Sequence, residues 1–161
     1  MKKIFLLMLV AVLGLTATSC SKDDDIVPNK EEGIQEAWRL VNFSYLNKDR
    51  KRISGVIPAI NDFNWKETEL FFRKNDGRQT RFEKGNKGED IIINWDFDYH
   101  VKDNQLLMID KKLGLNDLEI YTIDEITKSS MYIRYHTTPR EVQQSNMPRD
   151  TEYILYYYRK M

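Results

Sequence analysis

Apolar and polar residues alternate almost without fault between Asp90 and Val101. Ile91, Ile93, Trp95, Phe97, Tyr99 and Val101 fall on one phase; Asp90, Asn94, Asp96, Asp98 and His100 fall on the other, with Ile92 the exception. Period-two alternation over this length predicts a strand with one dry and one wet face. Met131, Ile133 and Tyr135 alternate with Tyr132, Arg134 and His136 in the same way. Leu70 and Phe72, then Thr80 and Phe82, flank Asn75-Asp76-Gly77. That Asp-Gly turn signal between alternating stretches predicts a hairpin.

Further strands are expected at residues 38–45, 105–110, 118–126 and 152–159, with 52–57 either pairing with the first or forming a loop. Asp103-Asn104 and Lys128-Ser129-Ser130 supply the turns between neighbours. Two places carry a helical signature. Ile34, Ala37, Trp38 and Val41 fit i, i+3, i+4, i+7, which predicts a helical turn running into the first strand. Thr138-Pro139-Arg140-Glu141 has a capping Thr, Pro at the first helical position and Glu at the third, which predicts a turn or two of helix. The chain is therefore read as all-β, an antiparallel meander of about eight to ten strands with at most short helical turns. Such a sheet either stacks into a sandwich or closes into an up-and-down barrel; the barrel is favoured because closure removes both exposed edges, and about eight strands leave room for side chains or one small ligand.

Residues 4–15 form an apolar run of a different kind. Met1-Lys2-Lys3 precedes it and Ala17-Thr18-Ser19 follows, the three parts of a secretory leader. A membrane span takes roughly 20 apolar residues, so a cleaved leader is the better reading. With Cys20 next in line, the segment resembles a bacterial lipoprotein signal. That resemblance implies that the Cys20 thiol is diacylated and Cys20 becomes the new N-terminus, anchored in a membrane. Cys20 is the single cysteine of the chain, so no intramolecular disulfide is possible. Ser21-Lys22-Asp23-Asp24-Asp25 reads as a solvated tether. It also resembles the short Ser/Lys/acidic signal of surface lipoproteins of the Bacteroidetes. By that resemblance the protein sits on the outer face of the outer membrane; a plain tether leaves it in the periplasmic leaflet. The expected organisation is a signal peptide at 1–19, a lipidated flexible tether at 20–33 and one barrel domain at 34–161.

Without its leader the chain has about 142 residues, the size of one ordinary domain. Lys and Arg number 25 against 25 Asp and Glu, and two of the lysines lie in the leader. Cations alternate with anions and there is no basic excess, which excludes a nucleic-acid binder.

Ala37-Trp38-Arg39-Leu40 opens the domain, Glu69-Leu70-Phe71-Phe72 leads through Asn75-Asp76-Gly77-Arg78 to Arg81-Phe82-Glu83, and Trp95-Asp96-Phe97-Asp98-Tyr99 precedes Asp103-Asn104-Gln105-Leu106-Leu107. With Ile126-Thr127-Lys128-Ser129-Ser130-Met131-Tyr132-Ile133, these motifs make residues 34–161 resemble the lipocalin-like lipoproteins of Bacteroidetes. Lipocalins proper have Gly-x-Trp in the first strand; here Glu36 stands in place of that glycine. The resemblance implies a barrel that binds a small apolar or amphipathic molecule without catalysis. The inward set expected to meet it is Phe72, Phe82, Ile93, Trp95, Phe97, Tyr99, Met131 and Ile133. The resemblance further implies that Trp38 forms the barrel floor with Arg159 packed on its ring, a structural cation–π contact.

The competing reading is an interaction module, a filled barrel whose outer aromatics meet a glycan or a protein. Tyr153, Tyr156, Tyr157 and Tyr158 cover both faces of the last strand and supply candidates. His100 and His136 with Asp96 or Asp98 have the ligand types for zinc, but no spacing that gathers them. Asp96, Asp98 and Asp103 are explained as a solvated strand face and turn rather than as a carboxylate pair for glycoside hydrolysis. Neither a metal, a cofactor nor an enzymatic activity is expected.

Overall fold

Residues 25–53, 68–85 and 87–161 are described by the computed structural model. The predicted leader, Cys20 and residues 21–24 lie outside them, as do residues 54–57 of the uncertain second strand. The elements run α1 (Lys30–Gly33), β1 (Ala37–Leu46), β2 (Glu69–Phe72), β3 (Asp76–Lys84), β4 (Asp90–Lys102), β5 (Gln105–Asp110), β6 (Gly114–Ile126), β7 (Ser130–His136), α2 (Pro139–Gln144) and β8 (Tyr153–Lys160). Every strand pairs antiparallel with its sequence neighbours, and β8 returns to β1, giving a closed barrel of eight strands among the described residues.

The turns follow local chemistry. Asp103 adopts a left-handed backbone (φ 56°), which Asp tolerates better than most residues, and lets β4 return as β5 over two residues. The capping box at Thr138 is complete: its side chain accepts from the Glu141 N–H, and the Glu141 carboxylate accepts from the Thr138 N–H. At the β2–β3 hairpin the turn falls at residues 73–75, so Asp76 and Gly77 already belong to β3.

The helical spacing of Ile34, Ala37, Trp38 and Val41 is not used as a helix. Helix α1 ends at Gly33, and residues 37–41 are strand. The spacing arises because Ile34 packs under the first strand: it is fully buried, and its carbonyl accepts the Trp38 indole N–H at 2.9 Å. Residues 25–33, expected as flexible tether, pack against the same end. Ile26 bridges to Thr127, the Val27 N–H donates to the Ile126 carbonyl at 2.9 Å, and Asn29 caps α1. Lys30 Nζ donates to Asn104 Oδ1 and to the Ile123 carbonyl, each at 2.9 Å. The N-terminal segment thus seals one end of the barrel, called here the floor; the β3–β4 connection and α2 stand at the other end, the rim.

Above the floor the described residues pack an apolar core. Trp38, Leu70, Phe72, Phe97, Tyr99, Leu106, Met108, Ile123, Met131 and Ile133 form one buried cluster. Phe72 meets Phe97 and Tyr99 edge-on at centroid distances of 5.5 and 5.0 Å, the geometry that aromatic quadrupoles favour. Beta bulges shift the phase of two strands, between Leu40 and Asn42 and between Ile123 and Glu125. The inward set of β1 therefore passes from Trp38 and Leu40 to Phe43 and Tyr45.

Candidate functional site

The ligand set expected from the sequence divides into three groups. Phe72, Phe97, Tyr99, Met131 and Ile133 point inward as expected, where they belong to one buried core cluster and are not among the residues lining the cavity described below. Trp95 is half-buried and tilts onto Phe97 at 5.1 Å. Ile93 and Phe82 are corrections. Residues 90–95 pair only with β3 among the described residues, because the β5 register begins opposite Phe97 and beyond it the Lys111 N–H reaches only the Asp96 carbonyl. This two-stranded ribbon runs past the wall, so Ile91, Ile92 and Ile93 are all exposed. Phe82 lies opposite Ile92, which is 59% exposed, and so belongs to the outer phase. Arg159 is a correction too: it pairs with Arg39 and Ser130 on the outer phase and is exposed, one residue out of step with Trp38. Lys160 stands opposite Trp38 instead, and its ammonium binds Glu36. The fully buried Trp38 is held by Ile34.

Midway up the barrel the packing gives way to a cavity of about 160 Å³, lined by Leu40, Thr68, Gln79, Arg81, Glu119, Tyr121, Tyr156 and Tyr158. None of these residues is in the inward set expected from the sequence. They come from four strands and the residue preceding β2. Gln79 and Arg81 share the inward phase of β3 with Gly77, opposite Trp95 and Ile93. Glu119 and Tyr121 share that of β6, opposite Met108 and Leu106. Tyr156 and Tyr158 lie opposite Ile133 and Met131.

The cavity brings an acid, a guanidinium and three phenols into low-dielectric surroundings. The Tyr121 hydroxyl donates to Glu119 Oε2 at 2.6 Å, and Arg81 Nε donates to Gln79 Oε1 at 2.9 Å. Burial is the largest influence on Glu119 and raises its pKa; the Tyr121 hydroxyl and the Arg81 charge pull the other way. Burial likewise lifts the Tyr121, Tyr156 and Tyr158 phenols above their ordinary value, and the Glu119 charge adds to it, so all three stay neutral donors. The Tyr121 and Tyr156 rings meet edge-on at 6.2 Å, and Tyr156 and Tyr158 tilt together at 6.4 Å. The Thr68 hydroxyl is buried without a hydrogen-bond partner among the described residues. An unpaired buried hydroxyl costs free energy, and here it borders the cavity.

The outer wall carries the other sequence candidates. Asp96 is held by Arg78 through two contacts at 2.7 and 3.2 Å, and Asp98 lies 3.4 Å from Lys111. His136 meets Glu152 at 3.0 Å and stacks on Tyr153, while His100 is exposed on β4. The last strand divides its tyrosines: Tyr156 and Tyr158 face the cavity, whereas Tyr157 stacks on Tyr132 at 4.7 Å on the outside. Broader depressions, of about 600 and 530 Å³, are open grooves on the surface beside α2 and along β6 and β7.

An eight-stranded, closed, up-and-down antiparallel meander is the architecture of lipocalins. The fold is lipocalin-like. Among solved structures, a lipocalin-like protein from Bacteroides uniformis is similar at TM-score 0.46 and 11% identity, over 80% of this chain and 99% of that one. An uncharacterized protein from Bacteroides eggerthii is similar at the same values. The bovine lipocalin allergen Bos d 2 is similar at TM-score 0.42 and 9% identity, over 80% of this chain and 74% of that one. No protein-family description and no curated protein matches the sequence.

Proposed function

We propose that this chain is an exported, lipid-anchored binding protein that holds a small amphipathic molecule in the middle of its lipocalin-like barrel and performs no chemistry on it. The observation that carries this reading is the cavity: polar groups and phenol faces converge on one small space above a solid apolar floor, the usual composition of a small-molecule site. Its volume argues against a long lipid-like ligand. About 160 Å³ lies below the roughly 300–1,000 Å³ of most ligand pockets, and it suits a molecule about the size of a single ring.

Anchorage rests on residues 1–25, read as a lipoprotein leader, Cys20 and an export signal. Two acyl chains hold a protein to a bilayer stably where one is marginal. The packing of residues 25–34 on the floor adds an orientation: the sealed end faces the membrane and the rim faces away. The outer face of the outer membrane is the compartment favoured by Ser21-Lys22-Asp23-Asp24-Asp25.

A second reading, recognition of a glycan or protein by the outer wall, is supported by the stacked Tyr132–Tyr157 pair. The two readings part in one experiment. Mature protein extracted from its own membrane is denatured, and the small molecules released are compared with those from Thr68→Phe, which fills the cavity. A compound released by the wild type alone supports the barrel reading. No compound from either, alongside glycan capture by both, favours the outer wall.

A further inference from the structure

Arg81 and Glu119 carry opposite charges on the lining of one small cavity, yet each is bonded elsewhere: the guanidinium to Gln79, the carboxylate to Tyr121. They reach the cavity from β3 and β6, strands that are not neighbours in the barrel. Glu119 feels the Arg81 charge, but among the described residues no ion pair joins them. Two unlike charges in a poorly solvated space attract strongly. Two unlike charges left unpaired on the lining of one cavity each keep hydrogen-bonding capacity beyond the single bond they make.

We propose that the ligand is a small zwitterion, with its ammonium group on Glu119 and its carboxylate on Arg81, as in a free α-amino acid with a short side chain. This rests on the ligand-binding reading above and adds the chemical class. Size agrees with it. The cavity of about 160 Å³ lies well below the roughly 300–1,000 Å³ of most ligand pockets, and alanine, serine and proline are among the smallest molecules that carry both charges. Charge agrees as well. A lone cation would be attracted by Glu119 and repelled by Arg81, a lone anion the reverse, and only a molecule bearing both charges satisfies both walls. The Thr68 hydroxyl, buried and without a partner among the described residues, can donate to the carboxylate or accept from the ammonium. The phenol faces of Tyr156 and Tyr158 offer the rest of the ligand an apolar, weakly electron-rich wall.

The test uses the mature lipoprotein in detergent and isothermal titration with four probes: L-alanine, ethylamine, propionate and phenol. L-alanine carries both charges, ethylamine and propionate one each, and phenol none. The expected result is that L-alanine binds the wild type more tightly than the other three. Its affinity should fall at least about tenfold in Glu119→Gln and again in Arg81→Gln, since each loses one charge-assisted hydrogen bond. Thermal melts of both variants establish that they fold. Three binding patterns overturn the inference: L-alanine binding that is indifferent to both substitutions, tighter binding of either singly charged probe, or binding of phenol alone. Phenol binding alone, abolished by Thr68→Phe, would leave the ligand-binding reading standing and remove only the zwitterion. Failure of all four probes to bind would remove both.

Discussion

Gly77 lies directly across the β3–β4 ladder from Phe97, and a methyl group on Gly77 would sit 2.4 Å from the Phe97 ring. The glycine that reads as turn chemistry in the sequence is a packing device. Gly77 lies within β3, and among the described glycines only Gly88 and Gly114 have positive φ. What the position requires is space for the ring, and the Phe71 carbonyl, 2.7 Å from the same methyl position, closes the other side. Gly77→Ala should therefore destabilise the barrel by about 1–3 kcal/mol through overpacking. Urea unfolding would check this; a variant as stable as the wild type would contradict the placement of Phe97.

The β4 strand separates core from rim within a few residues. Phe97→Ala removes a fully buried ring and should cost about 3–5 kcal/mol. Ile93→Asp, on the same phase but past the wall, should change stability by about 0.5 kcal/mol or less, as surface substitutions do. Paired thermal melts read both. Comparable losses at the two positions would mean that the ribbon is covered.

Glu119 should make stability depend on pH in the direction opposite to most carboxylates. Its pKa is raised in the folded barrel, chiefly by burial, so the native state holds its proton over a range where the unfolded chain has lost it. Its stabilising contribution is present below the ordinary glutamate value and is lost as pH rises through the raised one. Glu119→Gln should match the wild type in acid and exceed it near neutrality. Asp76 and Asp96 act in the opposite sense. Asp76 is lowered by its hydrogen bonds to Lys111 first and Arg73 next, and Asp96 by Arg78, so their small contributions are present above the ordinary aspartate value and fade as pH falls. Denaturant melts of wild type and Glu119→Gln across pH isolate the first effect. A gap between the two that widens in acid would contradict it.

Anchorage is tested at Cys20. Cys20→Ala should release the protein from membranes or leave the precursor uncleaved, read by fractionation and mass. Replacing residues 22–25 with Ala should keep the lipid but deny access to protease added to intact cells. Asp25 also pairs with Lys128 on the floor, but both side chains are about 70% exposed, so this substitution should leave the fold intact. Equal digestion of wild type and variant would reduce the stretch to a tether.

Much of the barrel is legible in the chain because one dry face imposes period two wherever a strand spans the wall. The Trp95 strand, the Asp103-Asn104 turn and the Thr138 capping box are all readable this way or from local chemistry. The cavity is not. On β6, Leu118 and Ile120 are apolar but face out, while Glu119 and Tyr121 face in, so hydrophobicity alone indicates the wrong face. On β3, Phe82 misleads in the same way against Gln79 and Arg81. A one-residue slip in register exchanges the two faces, and only the pairing of Glu119 with Met108 and of Gln79 with Trp95 decides between them. The bulges after Leu40 and Ile123 break the period again. The Arg159 placement fails for a simpler reason, a phase error of one residue at the end of β8.

Where a small molecule binds is the most direct test of the account. In methyl-resolved NMR of the mature protein, Leu40 reports on the cavity, Met131 and Ile133 on the packed core beside it, and Ile120 on the outer wall. Phenol and L-alanine are added in separate titrations. If the barrel holds the ligand, at least one shifts the Leu40 methyls progressively, leaves Ile120 unmoved, and loses this effect in Thr68→Phe. Shifts confined to Ile120 and its outer neighbours, or none with either compound, would contradict it.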